Sequence, residues 1–195
     1  MLKKQSTPQI ILDAARELFN TDGAVSTTTN HIAKECDISP GNLYYHFRNK
    51  EHIFLDLLNE MITAFDDIFL PSVDFESMQT EIFFKKTCKI IYEYRFIYAD
   101  LSYLVAFDDN FRKKYQSIKK KRSADLKSII KDLNQKGIFH NLPENEHLDI
   151  FINIIWTYIE GIITSLKTEG KKITLSSIES SLKHIIIPLK PYLNF

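Results

Sequence analysis

The chain has 195 residues, and its 25 Lys and Arg are balanced by 25 Asp and Glu, so the formal net charge is zero. Overall charge therefore cannot drive nucleic-acid binding, and positive potential must be concentrated locally or gathered by dimerising. Five glycines, six prolines and apolar stripes at helical spacing point to an all-α protein long enough to bury a real core.

In chain order, the first helix is expected over about 7–22, with Thr7 as its cap, Pro8 opening it and Gly23 ending it in a left-handed conformation. Ile11, Ala14, Ala15, Leu18 and Phe19 form its apolar stripe. Thr27 or Thr28 caps a second helix near 29–36, and Ser39 followed by Pro40 starts a third over about 40–46. A long amphipathic helix runs from Lys50 to Leu70-Pro71, then a short turn at 71–74 and a helix over about 75–94. An aromatic-rich segment, 95–107, precedes a helix capped by Asp108 or Asp109 that stops at Gly137. Residues 137–145 are a loop, 146–168 is the most apolar helix, and a last helix covers about 175–189. About nine helices are expected in all.

Cys36 and Cys88 are isolated, without the close spacing of a zinc site or a redox loop, and Cys36 is expected as a buried thiol. The N-terminus has no apolar signal-peptide core and no uninterrupted run approaches 18 apolar residues, so a cytoplasmic protein with no membrane partner is expected. No metal-ligand cluster, phosphate-cradling glycine loop, Gly-x-Ser-x-Gly elbow or His-Glu-x-x-His occurs, which speaks against an enzyme and against a metal or cofactor.

The segment from Ile32 to Phe47 reads as two short helices joined by a tight turn. In the second, Leu43 and Phe47 are spaced i, i+4 and hide together, leaving Asn42, Tyr44, Tyr45 and His46 outward. A short helix with amides, phenols and an imidazole on its free face is shaped to lie against DNA. Thr28, Thr29, Ser39, Tyr44, Tyr45, His46 and Lys50 are groups that bond phosphate oxygens, and Asn42 can pair bidentately with adenine. Gly41 allows close backbone approach to the groove. Residues 1–50 hold six Lys and Arg against five acids, so a shallow salt dependence is expected, on the order of two to four released counterions per head.

These residues carry a resemblance. Ala14-Ala15-Arg16-Glu17-Leu18-Phe19, Gly23, Thr28-Thr29, Ile32-Ala33, the run Ile38 to Phe47 and Lys50-Glu51 together resemble the TetR-type bacterial transcriptional regulators over the first quarter of the chain. The resemblance implies that the positions of Tyr44, His46 and Lys50 clamp the backbone. It also implies that those of Thr29, Asn30, Pro40, Gly41, Asn42 and Tyr45 face base edges. Asn30 departs from the pattern, since many relatives carry a basic residue there. The resemblance further implies a helix-turn-helix head, 1–50, and a helical effector-binding and dimerisation domain, 51–195.

Leu175, Ile178, Leu182, Ile185, Ile186 and Leu189 advance by three and four. With helix 146–168 they form the expected four-helix dimer, with Ile155, Ile159, Ile162, Ile178, Leu182, Ile185 and Ile186 at the interface. Small Gly161 permits close approach. The resemblance implies the same dimer. The middle of the chain has an unusual aromatic load, and the resemblance implies that some of it lines an apolar effector cavity. Phe84, Tyr98, Tyr103, Phe107, Arg122 and Trp156 are the candidates. Arg122 is either an anchor for an anionic effector or one partner of a structural ion pair.

The expected function is a homodimeric, ligand-responsive regulator. It would be a repressor released from a palindromic operator on double-stranded DNA by a small apolar or amphipathic effector. An activator, or a regulator whose C-terminal domain takes a protein partner or no small molecule, stays open.

Overall fold

In the computed structural model, residues 5–69, 77–137 and 145–185 are described, and among them every regular element is helical. Ten helices follow in order: α1 Thr7–Asp22, α2 Thr29–Glu35, α3 Pro40–His46, α4 Lys50–Phe69, α5 Ser77–Glu93, α6 Arg95–Ala99, α7 Leu101–Phe107, α8 Asp109–Gln135, α9 Asn145–Thr168 and α10 Leu175–Lys183. The aromatic stretch thus resolves into two short helices, α6 and α7, which periodicity alone left unassigned. The expected turn at 71–74, most of the loop at 137–145 and residues 186–189 of the last helix lie outside the described residues.

The termini follow local chemistry. Ser6, not Thr7, holds the extended N-cap backbone of α1, and its side chain makes no capping bond. Thr28 caps α2 in a reciprocal arrangement with His31, and Ser39 Oγ accepts from the Asn42 amide at the head of α3. Asp108 caps α8 by accepting from the amides of Asn110 at 2.6 Å and Phe111 at 3.2 Å. Between α2 and α3 the chain turns through a Schellman arrangement: Ile38 N–H donates to Ala33 O, and Asp37 N–H to Lys34 O. Asp37 takes the left-handed position with φ 53°, where glycine is the usual occupant.

The chain forms two compact units. The first contains described residues 5–64 and 93–114. Phe19, Phe54 and Phe96 are its centre, with ring centroids 4.8 Å apart for Phe19–Phe54 and 5.2 Å for Phe19–Phe96. These rings join α1, α4 and α6, while Ile11, Ala15, Ile32, Leu43 and Phe47 seat α2 and α3 on the same core. A polar cluster ties α1 to α4 and to Tyr94, the residue that precedes α6. Arg16 bonds Asp13 at 2.7 Å, Glu60 at 3.4 Å and the Tyr94 hydroxyl at 3.3 Å. Burial, reinforced by Glu60, pushes the Tyr94 phenol up to about 12, so it remains a neutral donor to Glu60. Cys36 is half-buried, with Sγ 3.8 Å from Ile10 O, rather than the sealed thiol expected.

The second unit contains described residues 65–69, 77–92, 115–137 and 145–185. Ile130, Leu148 and Ile152 make a core cluster supported by Leu126, Phe151 and Trp156. Along α9, Ile162, Ile163 and Leu166 are buried, as are Ile178 and Leu182 on α10. Glu160 receives hydrogen bonds from Tyr115 Oη at 3.2 Å and Lys119 Nζ at 3.0 Å, which links α8 to α9. Arg122 is 5% exposed and forms ion pairs with Asp66 of α4 and, at 2.9 Å, with Asp125 of its own helix.

The aromatic trio sets the stability of the first unit. Phe96→Ala removes a ring that is 1% exposed. It is expected to cost about 3–5 kcal/mol, lowering the thermal midpoint by roughly 8–15 °C. A melt followed by circular dichroism checks this, and a shift below 3 °C contradicts it.

Candidate nucleic-acid interface

The reading helix α3 has seven residues, too few to persist alone, so its orientation comes entirely from what it buries. Leu43 is 0% and Phe47 2% exposed, as the i, i+4 spacing requires. That fixes the opposite face. Tyr45 projects at 84% exposure, and Pro40, Gly41, Asn42 and Tyr44 are exposed beside it. Only the backbone amide of Asn42 is engaged among the described residues, on Ser39 Oγ at 3.1 Å, so its side-chain amide faces outward. The Tyr45 ring stands edge-on to half-buried His46, centroids 5.0 Å apart, which stiffens the phenol without covering it.

Thr29 Oγ1 and Tyr44 Oη lie 2.9 Å apart and tie the start of α2 to the middle of α3. Two hydroxyls sharing one hydrogen bond keep one O–H donor in reserve, available to a phosphate oxygen without breaking the pair. Thr28 and Asn30 flank Thr29 and are exposed.

Lys50 behaves differently from a simple phosphate clamp. Its ammonium donates to Ala24 O at 2.7 Å and Thr27 O at 2.9 Å, so two of its three donors brace the turn between α1 and α2. Burial lowers its pKa, opposed by the negative charges of Glu51 and Asp100. Arg16 is likewise engaged with two carboxylates, while Lys34 and Arg48 are exposed. Arg48 directly follows the buried Phe47 at the end of α3. It was not among the expected DNA contacts, because its side of the chain is set by the turn rather than by helical spacing.

The other expected sites divide. Among the effector candidates, Tyr98, Tyr103 and Phe107 belong to the first unit and Phe84, Arg122 and Trp156 to the second. Tyr98 is buried with its hydroxyl 4.0 Å from Met61 Sδ, and the Tyr103 and Phe107 rings stack at 5.0 Å. Among the dimer candidates, Ile162, Ile178 and Leu182 are buried inside their own protomer at 3%, 0% and 5% exposure. Ile155, Ile159 and Ile185 are half-buried, and Ile186 lies outside the described residues. The apolar side chains that α9 turns outward are Ile150 at 52%, Ile154 at 57% and Tyr158 at 36%.

A helix-turn-helix with its apolar pair sealed and its amide-and-phenol face bare defines a DNA-binding regulator. The family model described as "Bacterial regulatory proteins, tetR family" matches residues 11–57, and that described as "Bacterial transcriptional repressor" matches 55–194. The chain belongs to the TetR family of transcriptional regulators, which are DNA-binding proteins and not enzymes. It is similar to the HTH-type transcriptional regulator QacR of Staphylococcus aureus, 53% identical over 49 residues, or 25% of this chain and 26% of that protein. That match thus spans about a quarter of QacR's length. A TetR-family regulator from Marinobacter aquaeolei VT8 superposes with a TM-score of 0.87 at 30% identity, over 97% of this chain and 92% of that one. FadR from Bacillus subtilis, solved with stearoyl-CoA, has the same fold at a TM-score of 0.66 and 20% identity, over 91% of this chain and 97% of that one.

Tyr45→Ala is expected to leave the thermal midpoint within 2 °C, because the ring is 84% exposed, yet to weaken operator binding at least tenfold. Fluorescence anisotropy with labelled operator measures the loss; unchanged affinity would remove Tyr45 from the interface.

Proposed function

We propose that the chain is a homodimeric repressor that leaves a palindromic operator when a small apolar or amphipathic effector binds. Residues 1–50 read DNA, and 51–195 pair the protomers and take the effector. In cells the protein works in the cytoplasm, where its operator is. The observation that carries the reading is the bare face of α3, with Asn42 and Tyr45 presented over a buried Leu43 and Phe47. Thr29, Asn30, Pro40, Gly41, Asn42 and Tyr45 face bases, and Thr28, Ser39, Tyr44 and His46 hold phosphates. Lys50 adds its remaining donor.

One head makes few contacts, and two heads about one helical turn apart (~34–36 Å) add their energies on a symmetric site. Support for the pair comes from α9. Residues 148–168 are long and apolar enough to cross a membrane by length and composition, yet only 22% of an 18-residue apolar window within them is buried. Ile150, Ile154, Tyr158 and Gly161 line an open groove of about 760 Å³ together with Ser181 and His184 of the α10 end. A methyl group added at Gly161 would meet nothing within 4 Å, so space is left there for another helix. A second copy of α9 and α10 fills this groove in our proposal, shifting the interface from the expected buried positions to the outward register.

DNase footprinting on the DNA upstream of the protein's own gene is expected to show a symmetric protected site. Ile154→Asp, at an exposed position, should keep its helicity but run as a monomer in light scattering and lose operator affinity at least a hundredfold. A dimeric Ile154→Asp protein or an unsymmetric footprint contradicts the arrangement.

For the effector, support lies in Trp156, whose indole Nε1 is buried without a hydrogen-bond partner among the described residues. An orphaned donor costs about 1–3 kcal/mol, which a ligand bearing an acceptor would recover. Arg122 forms ion pairs with Asp66 and Asp125, so in this reading its charge serves the fold rather than the effector. A hundredfold loosening of DNA binding needs only about 2.7 kcal/mol of differential affinity. Trp156 is the single tryptophan of the chain, so its fluorescence reports directly on that site. An inducing compound should shift or quench it in proportion to operator release, and release with unchanged emission places the effector elsewhere.

A further inference from the structure

The turn between α1 and α2 is gripped from two directions. Asp100, at the junction of α6 and α7, accepts from the Ala24 amide through Oδ2 at 2.7 Å. Lys50, at the start of α4, donates to the carbonyl of the same Ala24 at 2.7 Å and to that of Thr27 at 2.9 Å. Ala24 and Thr27 are both 0% exposed, and the Thr27 hydroxyl closes the turn on Gly23 O at 2.9 Å. Gly23 sits at φ +88°, and a Cβ there would come within 3.6 Å of Asp100 Oδ2. The residue immediately after this braced turn is Thr28, the cap of α2, followed by Thr29 with its hydroxyl on Tyr44.

The other end of α6 is fastened to α1 as well. Asn20 donates through Nδ2 to Glu93 O at 2.8 Å and accepts through Oδ1 from the Phe96 amide at 3.0 Å. Phe96 itself is buried against Phe19 and Phe54. A five-residue helix is thereby pinned at both ends to the DNA-reading head, although about 50 residues of chain separate it from that head's last helix.

We propose that Asp100 is a positioning residue for DNA recognition, which acts with Lys50 through the Ala24 peptide to set where the start of α2 presents Thr28, Thr29 and Asn30. The inference rests on the DNA-reading role proposed above. It adds that α6, not α4 alone, determines the geometry of the reader.

The sign of the effect separates positioning from charge. Asp100 is an anion near a surface that meets phosphates, so on electrostatics alone its removal tightens DNA binding. Positioning gives the reverse. Anisotropy against the footprinted operator, with protein concentration corrected for active fraction, is expected to show Asp100→Ala binding at least tenfold more weakly. The slope of log affinity against log salt should match wild type, because no phosphate contact is lost. Asp100→Asn keeps an oxygen acceptor for the Ala24 amide and should recover to within about threefold of wild type, still on the weak side.

Hydrogen–deuterium exchange gives the second readout. Amides of residues 23–28 should exchange faster in Asp100→Ala while those of α9 do not change. Equal or tighter DNA binding by the folded alanine variant overturns the proposal, as does unaltered protection of 23–28. If Asp100→Ala fails to fold, Asp100→Asn decides alone: weaker binding supports positioning, and equal or tighter binding overturns it. If wild type binds no symmetric DNA site, the regulator reading fails, while the exchange result still judges the grip.

Discussion

Burial of Leu43 and Phe47 is the constraint on which the head depends. Helix α3 is seven residues long, and helix nucleation is too unfavourable for such a segment to exist without tertiary contacts. Two side chains one turn apart settle both its existence and its rotation, and the rotation decides which groups meet the groove. The remaining tethers refine that result. Thr29 and Tyr44 lock α2 to α3 through their hydroxyls, and Lys50 and Asp100 hold the turn that precedes α2. The head therefore obtains its precision from packing and from a few hydrogen bonds, two of them given by the Lys50 ammonium and one taken by the Asp100 carboxylate.

That economy of charge suits the composition. Arg16 is engaged with Asp13 and Glu60, and Lys50 with two backbone carbonyls, so these two basic residues serve the fold before they serve DNA. In the second unit the pattern repeats, with Arg122, Lys119 and Lys127 all paired to acids. A chain with 25 cations and 25 anions has used many of them to fix helices against one another.

The sequence was most legible where one face of an element is polar. Helices α1 to α3 fall within a residue or so of expectation, because caps at Thr28 and Ser39 and the positive-φ Gly23, whose ψ of 150° is extended rather than left-handed helical, leave chemical marks. Helix α9 shows the opposite case. It is apolar around most of its circumference, so spacing cannot tell the buried register of Ile162 and Leu166 from the outward one of Ile150, Ile154 and Tyr158. Aromatic side chains at 95–107 hid two short helices for a related reason, since five and seven residues are too few for a period to emerge. Asp100 left no trace at all. Its importance comes from a contact with Ala24, 76 positions away, that no local pattern encodes.

Asp37 draws two small penalties to a single corner. Its backbone is left-handed at φ 53°, and it follows directly on the negative end of α2, where an acidic residue is disfavoured. Glycine would relieve both, so the bend between α2 and α3 is held against its own local preference by the burial of Ile32 on one side and Leu43 on the other.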